Sequence, residues 1–274
     1  MSQQGSDLFD DAAIARRRLR MWAAVAVGVV ALIRIGGEIV PDMRRPDLVL
    51  LDLWQSARGT RRPSPQIAIV AIDEKSINRF GPPAWPRSEY VPLVRRLSAA
   101  GARVIGFDFT FGSLEREAAN NEAFAAAMKE AGNVVFGYEF TDVGDPTPPG
   151  KPAADVVQKN AFERFESVAL PPAHSLIEPE PVLAGAAAAL GHVRTVASED
   201  GRIRVLPLVI QHGDKAYPSL GLQLARLYSG IPLEAIGVKA ELVSMGDFDI
   251  PVSPSGEVML NWPADTTRAF PQFS

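Results

Sequence analysis

Short apolar segments alternate with helical ones in the first half of this chain, and this alternation is the strongest constraint on its fold. Residues 67–72, 103–109 and 133–140 are apolar runs, typical of strands that are buried on both faces of a sheet. Helical segments at 89–100 and 115–131 lie between them. A strand–helix–strand–helix–strand order at this spacing indicates parallel strands joined by right-handed crossovers. We therefore predict an α/β fold with a parallel βαβαβ core.

The second half of the chain indicates antiparallel strands as well. Asp200-Gly201 is a hairpin signal between the apolar segments 192–197 and 202–211. The sequence thus predicts a mixed sheet, in which hairpins extend the parallel core or form a second sheet. Further predicted elements are helices at 181–190 and 218–229, strands at 248–252 and 258–262, and an exposed loop at 141–160.

An apolar segment near the amino terminus predicts a membrane anchor. Residues 1–20 are polar and end in a cluster of four arginines, and residues 21–41 have about the length of one membrane span. A secretory signal peptide has similar features, but no small-x-small cleavage site follows here. The arginines favour a cytoplasmic amino terminus, although Arg44 and Arg45 follow the span and make the excess small. We therefore predict a cytoplasmic tail at 1–20, a transmembrane signal anchor at 21–41 and export of the remainder.

The composition excludes several functional classes. A net charge of −4 and the lack of an aromatic-basic face give no reason to expect a nucleic-acid partner. The chain has no cysteine, which excludes disulfides, thiolate catalysis and zinc-thiolate sites. Its three histidines are not at metal-binding helical spacing, and no phosphate loop, nucleophile elbow or kinase signature is present. We predict no cofactor, no metal centre and no catalytic set of residues within this chain.

Acidic residues follow or end two of the predicted parallel strands. Asp73 and Glu74 come directly after the first strand, and Asp108 lies near the end of the second. Because such strands place ligands at their carboxyl edge, these carboxylates could bind a hard cation such as calcium, or a small cationic or hydroxylated ligand. Arg87 and Trp85, in a proline-stiffened loop, are candidates for the same ligand site. The structural interpretation is favoured at each position: Asp73 caps the next helical turn, Arg87 orders the loop through an ion-pair network, and Trp85 fills the core.

An ordered series of short motifs completes the sequence evidence. In chain order these are Arg58-Gly59, Ile69-Val70-Ala71-Ile72-Asp73-Glu74-Lys75-Ser76, Trp85-Pro86-Arg87, Gly101-Ala102-Arg103-Val104-Ile105, Phe107-Asp108, Asp200-Gly201 with Arg204, Tyr217-Pro218-Ser219-Leu220, and Gly256 with Asn261. As a set spanning residues 47–274, they resemble the second family of CHASE sensor domains (cyclases/histidine kinases associated sensory extracellular). Pro83 stands where that family often has a second tryptophan, which removes an aromatic pair from the loop.

The resemblance implies an input domain outside the cytoplasmic membrane of a bacterium, following a first membrane helix. It implies further membrane helices and a cytoplasmic output domain after residue 274. That output domain is most commonly a class III nucleotide cyclase that makes cyclic AMP, and less often a histidine kinase, a serine/threonine kinase or a diguanylate cyclase. The implied partners are the membrane, an unidentified small ligand or ion, and a second copy of the chain joined through the membrane helices and output domain. Catalysis would then belong to the parent receptor.

Two other functional classes remain compatible with the residues alone. One is a secreted or membrane-tethered enzyme that uses Asp73 and Asp108 as acid and base, which requires both carboxylates to face one cleft. The other is a membrane-anchored structural or dimerisation module, which requires a sizeable exposed apolar surface.

Overall fold

The computed structural model describes residues 20–25, 27–32, 45–59, 64–83, 85–112, 117–141, 155–162, 165, 170–171, 175–177, 179–198, 200–212, 214–262 and 269–274. The chain divides into two compact units, residues 1–70 with 261–273, and residues 71–260 with 274. The elements in chain order are α1 (Arg45–Ala57), β1 (Ile69–Val70), α2 (Glu74–Phe80), α3 (Tyr90–Ala99), β2 (Ile105–Thr110), α4 (Ala118–Ala131), β3 (Val134–Thr141), α5 (Asp155–Gln158), β4 (Ser175–Ile177), α6 (Pro181–Ala184), β5 (Ala189–His192), β6 (Val205–Pro207), β7 (Val209–His212), β8 (Lys215–Pro218), α7 (Leu220–Ser229), β9 (Ile236–Lys239), β10 (Leu242–Met245), β11 (Phe248–Pro251), β12 (Glu257–Met259) and β13 (Gln272–Phe273).

The first unit contains helical residues at 20–25 and 27–32, the helix α1, and the paired strands β1 and β13. Among the described residues, no helix is long and apolar enough to cross a membrane. The predicted anchor at 21–41 also includes residues 26 and 33–41, which lie outside the described residues, as does most of the predicted tail at 1–20.

A parallel sheet of three strands forms the centre of the second unit. β2 pairs with β3 through Ile105↔Val134 and Phe107↔Phe136. On its other side β3 pairs with β5, again in parallel, through Val135↔Ala189 and Tyr138↔His192. The short strand β4 runs antiparallel to the end of β3. The predicted parallel pairing is therefore confirmed for the strands at 103–109 and 133–140, and α4 connects them.

The predicted membership of residues 67–72 in this core is wrong. Only Ile69 and Val70 form a strand, and β1 pairs in parallel with β13 instead. Their side chains are 37% and 42% exposed, so this strand is not buried on both faces. The third parallel strand is β5, which ends a segment predicted to be helical at 181–190.

Close backbone packing explains why β5 replaces the predicted helix. Helix α6 ends at Ala184, and the following small residues lead into the strand. A Cβ atom at Gly191 would lie 2.5 Å from the backbone of Leu220, at the start of α7. Only glycine permits this approach of helix to strand, and the contact orders the strand at a distance of about thirty residues along the chain.

Aromatic and aliphatic side chains from α3, α4 and the sheet form the larger core. Val94, Phe124 and Met128 are fully buried on the helices, against Phe107 and Phe136 of the strands. Gly132 ends α4 with a left-handed φ of 68°, as its position after an alanine-rich helix predicts. Within the predicted loop at 141–160, residues 142–154 lie outside the described residues, and Asp155–Gln158 form one helical turn.

The antiparallel strands form small separate sheets with a second core. β7 pairs with β8, β9–β10–β11 form a meander, and β12 pairs with β6. The hairpin predicted at Asp200-Gly201 is confirmed as a tight turn closed by a bridge between Val196 and Val205, with a backbone bond from Ser198 N to Arg202 O of 2.8 Å. The predicted strand at 202–211 divides at Leu208, because β6 and β7 have different partners.

Candidate functional site

The carboxylate of Asp73 is used to start helix α2. Its Oδ1 accepts hydrogen bonds from the backbone N–H groups of Lys75 and Ser76, at 3.0 and 3.1 Å. The hydroxyl of Ser274 donates a further bond of 2.7 Å to the same oxygen. The bond from Ser274 and those from the helix start hold the pKa of Asp73 below its usual value of 3.8. The interpretation of Asp73 as an N-cap is confirmed, and Gly81 ends the same helix at a φ of 83°.

The other two predicted carboxylates are not joined to Asp73 by the sheet. Glu74 lies exposed in the first turn of α2, where its negative charge interacts favourably with the helix dipole. Asp108 lies exposed on β2, and β2 pairs with β3 but not with β1. The strand pairing that was expected to bring Asp73 and Asp108 together is therefore not formed. Among the described residues, no group of three or more histidine, aspartate or glutamate side chains is arranged to hold a metal ion.

Trp85 fixes the proline-rich loop against the core. Its Nε1 donates a hydrogen bond of 2.9 Å to the carbonyl of Gly81. Its ring lies 5.3 Å from the ring of Phe80 and 6.1 Å from that of Tyr90, between centroids. The half-buried indole packs against the larger core, which confirms its interpretation as a core residue. This packing positions the next residue but one, Arg87.

Arg87 contacts the end of strand β2. Its guanidinium carbon lies 4.5 Å above the ring centroid of Phe111, a cation–π contact. An Nη atom donates a hydrogen bond of 3.3 Å to the carbonyl of Gly112. Burial raises the pKa of the neighbouring Tyr90, and the positive charge of Arg87 partly opposes that rise. The loop at 85–87 and the end of β2 are thus held together through Arg87.

A buried polar cluster that sequence reasoning missed lies between β3 and β5. Tyr138 and His192 are partners in the parallel register, so their side chains project from the same face of the sheet. Both residues are almost completely buried. The Tyr138 hydroxyl and both ring nitrogens of His192 have no hydrogen-bond partner among the described residues. Buried polar atoms of this kind require a partner, such as an ordered water or a ligand atom.

Burial keeps the side chains of this cluster neutral. Desolvation, followed by the charge of Arg194, lowers the pKa of His192 to about 3. Desolvation raises the pKa of Tyr138 well above its ordinary value, and with the charge of Asp214 it raises that of Tyr217 to about 12. Near neutral pH the cluster therefore offers uncharged donors and acceptors and does not supply a general acid or base.

Aromatic rings pack on the tyrosine side of the same cluster. The Phe140 ring lies 5.3 Å from Tyr138, 5.6 Å from Tyr217 and 5.4 Å from His212, between centroids. The sequence signal for the cluster is weak, because it consists of one histidine in a segment of small residues and two tyrosines far apart in the chain.

Helix α7 holds β5 in place through a second polar group. Gln223 Nε2 donates to the carbonyl of Leu190 at 2.9 Å, and Arg226 Nε donates to Gln223 Oε1 at 2.7 Å. Arg226 also donates to the carbonyl of Ile231 at 2.9 Å. Gln223 is fully buried, so these bonds fix the helix on the strand that carries His192.

The comparison with known families identifies the class of protein to which this mixed α/β chain belongs. The profile of the CHASE2 domain family matches residues 24–274. The chain belongs to the CHASE2 domain family, whose members are extracellular sensory domains of signalling receptors. No curated protein and no solved structure matches the chain at a significant level.

Proposed function

We propose that this chain is the input part of a bacterial membrane receptor whose cytoplasmic output domain is a class III nucleotide cyclase that makes cyclic AMP. Residues 1–20 lie in the cytoplasm, residues 21–41 span the inner membrane, and residues 47–274 form the sensor on the outer side. A second copy joins through the membrane helices and the output domain. The observation that carries the proposal is the family match, which begins at residue 24, inside the predicted anchor.

Reporter fusions after Ser274 test the topology. A reporter that works only after export gains activity at this position, and a reporter that works only in the cytoplasm does not. Replacing Arg16, Arg17, Arg18 and Arg20 with glutamate is the matched variant, because it removes the positive charges that retain the amino terminus inside. Activity of the cytoplasmic reporter in the unchanged chain contradicts the proposed orientation.

The proposed ligand is a small polar molecule or ion, bound by the segment that contains Asp73, Glu74, Trp85, Arg87 and Asp108. Two contacts support this segment as a sensor. Asp73 binds both the start of α2 and the hydroxyl of Ser274, and Arg87 ties the loop to the end of β2. A bound ligand that changes the hydrogen bonds of Asp73 therefore affects the start of α2 and Ser274 together. The ligand shifts the receptor only by its difference in affinity for the two arrangements.

A cap-preserving substitution separates sensing from folding at Asp73. Serine also accepts the N-cap hydrogen bond but carries no charge, so Asp73→Ser keeps the start of α2. In the full-length receptor, we expect Asp73→Ser with Asp108→Asn to abolish the response of cyclic AMP output to the medium that contains the signal. Asp249→Asn, at an exposed carboxylate of β11, is the control and retains the response. A normal response in the double variant excludes these two carboxylates as the sensing site.

The contacts of Asp73 also weigh against a role as the general acid in the enzyme alternative. Its carboxyl pKa is lowered and its Oδ1 already accepts bonds from two backbone N–H groups and Ser274. A general acid requires the opposite shift, since it must hold a proton near neutral pH.

A further inference from the structure

The solvent face of helix α1 is apolar. Leu50, Leu53 and Trp54 are 59%, 58% and 80% exposed. At spacings of three and four residues they form one stripe on the helix, which continues to the exposed Ala57. The polar residues Asp52 and Gln55 lie on the half-buried side. Leu48 and Leu51 are half-buried as well, so apolar side chains lie on both sides of α1, which is unusual for a helix on the surface of a water-soluble domain.

A contiguous apolar stripe of this kind marks a surface that contacts another apolar medium. The charges around the helix indicate that this medium is a lipid membrane. Arg44 and Arg45 precede the stripe, and Arg58, Arg61 and Arg62 follow it, against the three aspartates at 42, 47 and 52. Arginines beside a membrane surface attract anionic lipid headgroups, by about 1 kcal/mol each. Tryptophan is itself enriched at the boundary between headgroups and acyl chains.

The neighbouring part of the chain supports the same partner. Residues 27–32 are helical, and the side chains of Val27, Val29, Val30 and Leu32 are exposed although all are apolar. Only residues 33–44 separate this segment from α1. A second copy of the chain is a weaker candidate for the stripe, because a coiled-coil seam needs at least three heptads and α1 has 13 residues.

We propose that α1 lies in the interface of the anionic membrane that anchors the chain, with Leu50, Leu53 and Trp54 at the level of the upper acyl chains. The arginines at its two ends bind lipid headgroups. The inference rests on the proposed anchor at 21–41, because that anchor brings α1 to the membrane. It adds a second membrane contact, which sets the orientation of the segment between the anchor and β1.

The absence of cysteine from the chain makes a site-specific test possible. Single cysteines replace Trp54, Leu53, Val29 or Asp249 in the full chain, and each is labelled with an environment-sensitive fluorophore. The protein is reconstituted into vesicles of phosphatidylcholine and phosphatidylglycerol. Nitroxide-bearing lipid then measures contact with the membrane, and iodide measures contact with water. The Val29→Cys label reports the anchor, and the Asp249→Cys label reports an exposed position of the second unit.

We expect lipid quenching and a blue-shifted emission at Trp54→Cys and Leu53→Cys, and iodide quenching at Asp249→Cys. Vesicles of phosphatidylcholine alone should reduce the lipid quenching at Trp54→Cys, because the arginines then lack anionic partners. Iodide quenching at both α1 positions overturns the inference, and so does disulfide crosslinking between Leu53→Cys copies without lipid quenching. The result at Val29→Cys keeps the two proposals apart. Lipid quenching there alone leaves the anchor intact and rejects the α1 contact, and lipid quenching at α1 alone rejects the anchor.

Discussion

Tyr138 and His192 lie side by side on two parallel strands, and their polar atoms are buried without a hydrogen-bond partner among the described residues. Each strand is apolar on the same face, where Phe136, Phe140 and Leu190 are buried. Two neighbouring polar side chains in such a position lower the stability of the fold unless a further molecule satisfies them. This cost makes the pair a feature with measurable consequences for stability and pH dependence.

Replacing His192 with glutamine should flatten the pH dependence of stability. The pKa of His192 is lowered to about 3 in the fold, below the ordinary value of 6.5, so the unfolded chain binds the proton first. The contribution of the neutral histidine is therefore complete above pH 6.5 and is lost as the pH falls from 6.5 toward 3. At pH 5 this loss is about 2 kcal/mol relative to pH 7. Urea unfolding at both pH values measures it, with His212→Gln as the control that retains the loss.

Replacing Tyr138 with phenylalanine should leave the protein as stable as before or stabilise it, by up to about 2 kcal/mol. The variant removes a buried hydroxyl that has no partner among the described residues and keeps the ring that packs on Phe140. Urea unfolding measures the change. A clear loss of stability contradicts the prediction and shows that a bound molecule satisfies the hydroxyl. Repeating the measurement after dialysis then tests whether that molecule is exchangeable.

Replacing Gly191 with alanine should destabilise the fold by about 1–3 kcal/mol, because overpacking forces the backbone apart. The added Cβ would lie 2.5 Å from the Leu220 backbone, which cannot rotate away as a side chain can. Gly221→Ala is the matched control. Gly221 follows Leu220 in α7, and nothing lies within 4 Å of a Cβ atom added there. The free energy of unfolding of the control should rise by up to about 1 kcal/mol, because alanine has a higher helix propensity than glycine. Equal effects in the two variants contradict the proposed close approach of α7 to β5.

Replacing Asp200 with asparagine should destabilise the fold more than Glu130→Gln does. Arg204 is buried and donates to both carboxylate oxygens of Asp200, at 2.8 and 2.6 Å. These bonds hold the pKa of Asp200 far below its usual 3.8, so their contribution is present above that pH and is lost as the pH falls further. The partner of Glu130, Arg95, is 62% exposed, and such a surface pair contributes little. Thermal unfolding of both variants at neutral pH and near pH 3 compares the two pairs.

Much of the local structure could be predicted because it depends on residues close in sequence. The Asp73 cap, the helix ends at Gly81 and Gly132 and the turn at Asp200-Gly201 follow from side-chain acceptors and from backbone angles that glycine adopts readily. The same reasoning places Trp85 in the core. For the candidate ligand site, local reasoning gave only the types of residue. The expected proximity of Asp73 and Asp108 depended on a strand pairing that does not form.

By itself, then, the sequence determined the class of fold, the helices that flank its central strands, the caps that end them and the family to which the chain belongs. Only the tertiary structure decided which strands share the sheet and which polar groups are buried. The apolar run at 67–72 and the small-residue run at 186–192 are both locally compatible with a strand, and the second also with a helix. The close approach of Leu220 to Gly191 selects β5, because a side chain at that position would exclude α7. The pairing of β5 with β3 then places His192 beside Tyr138, although the two residues are more than fifty positions apart in the chain.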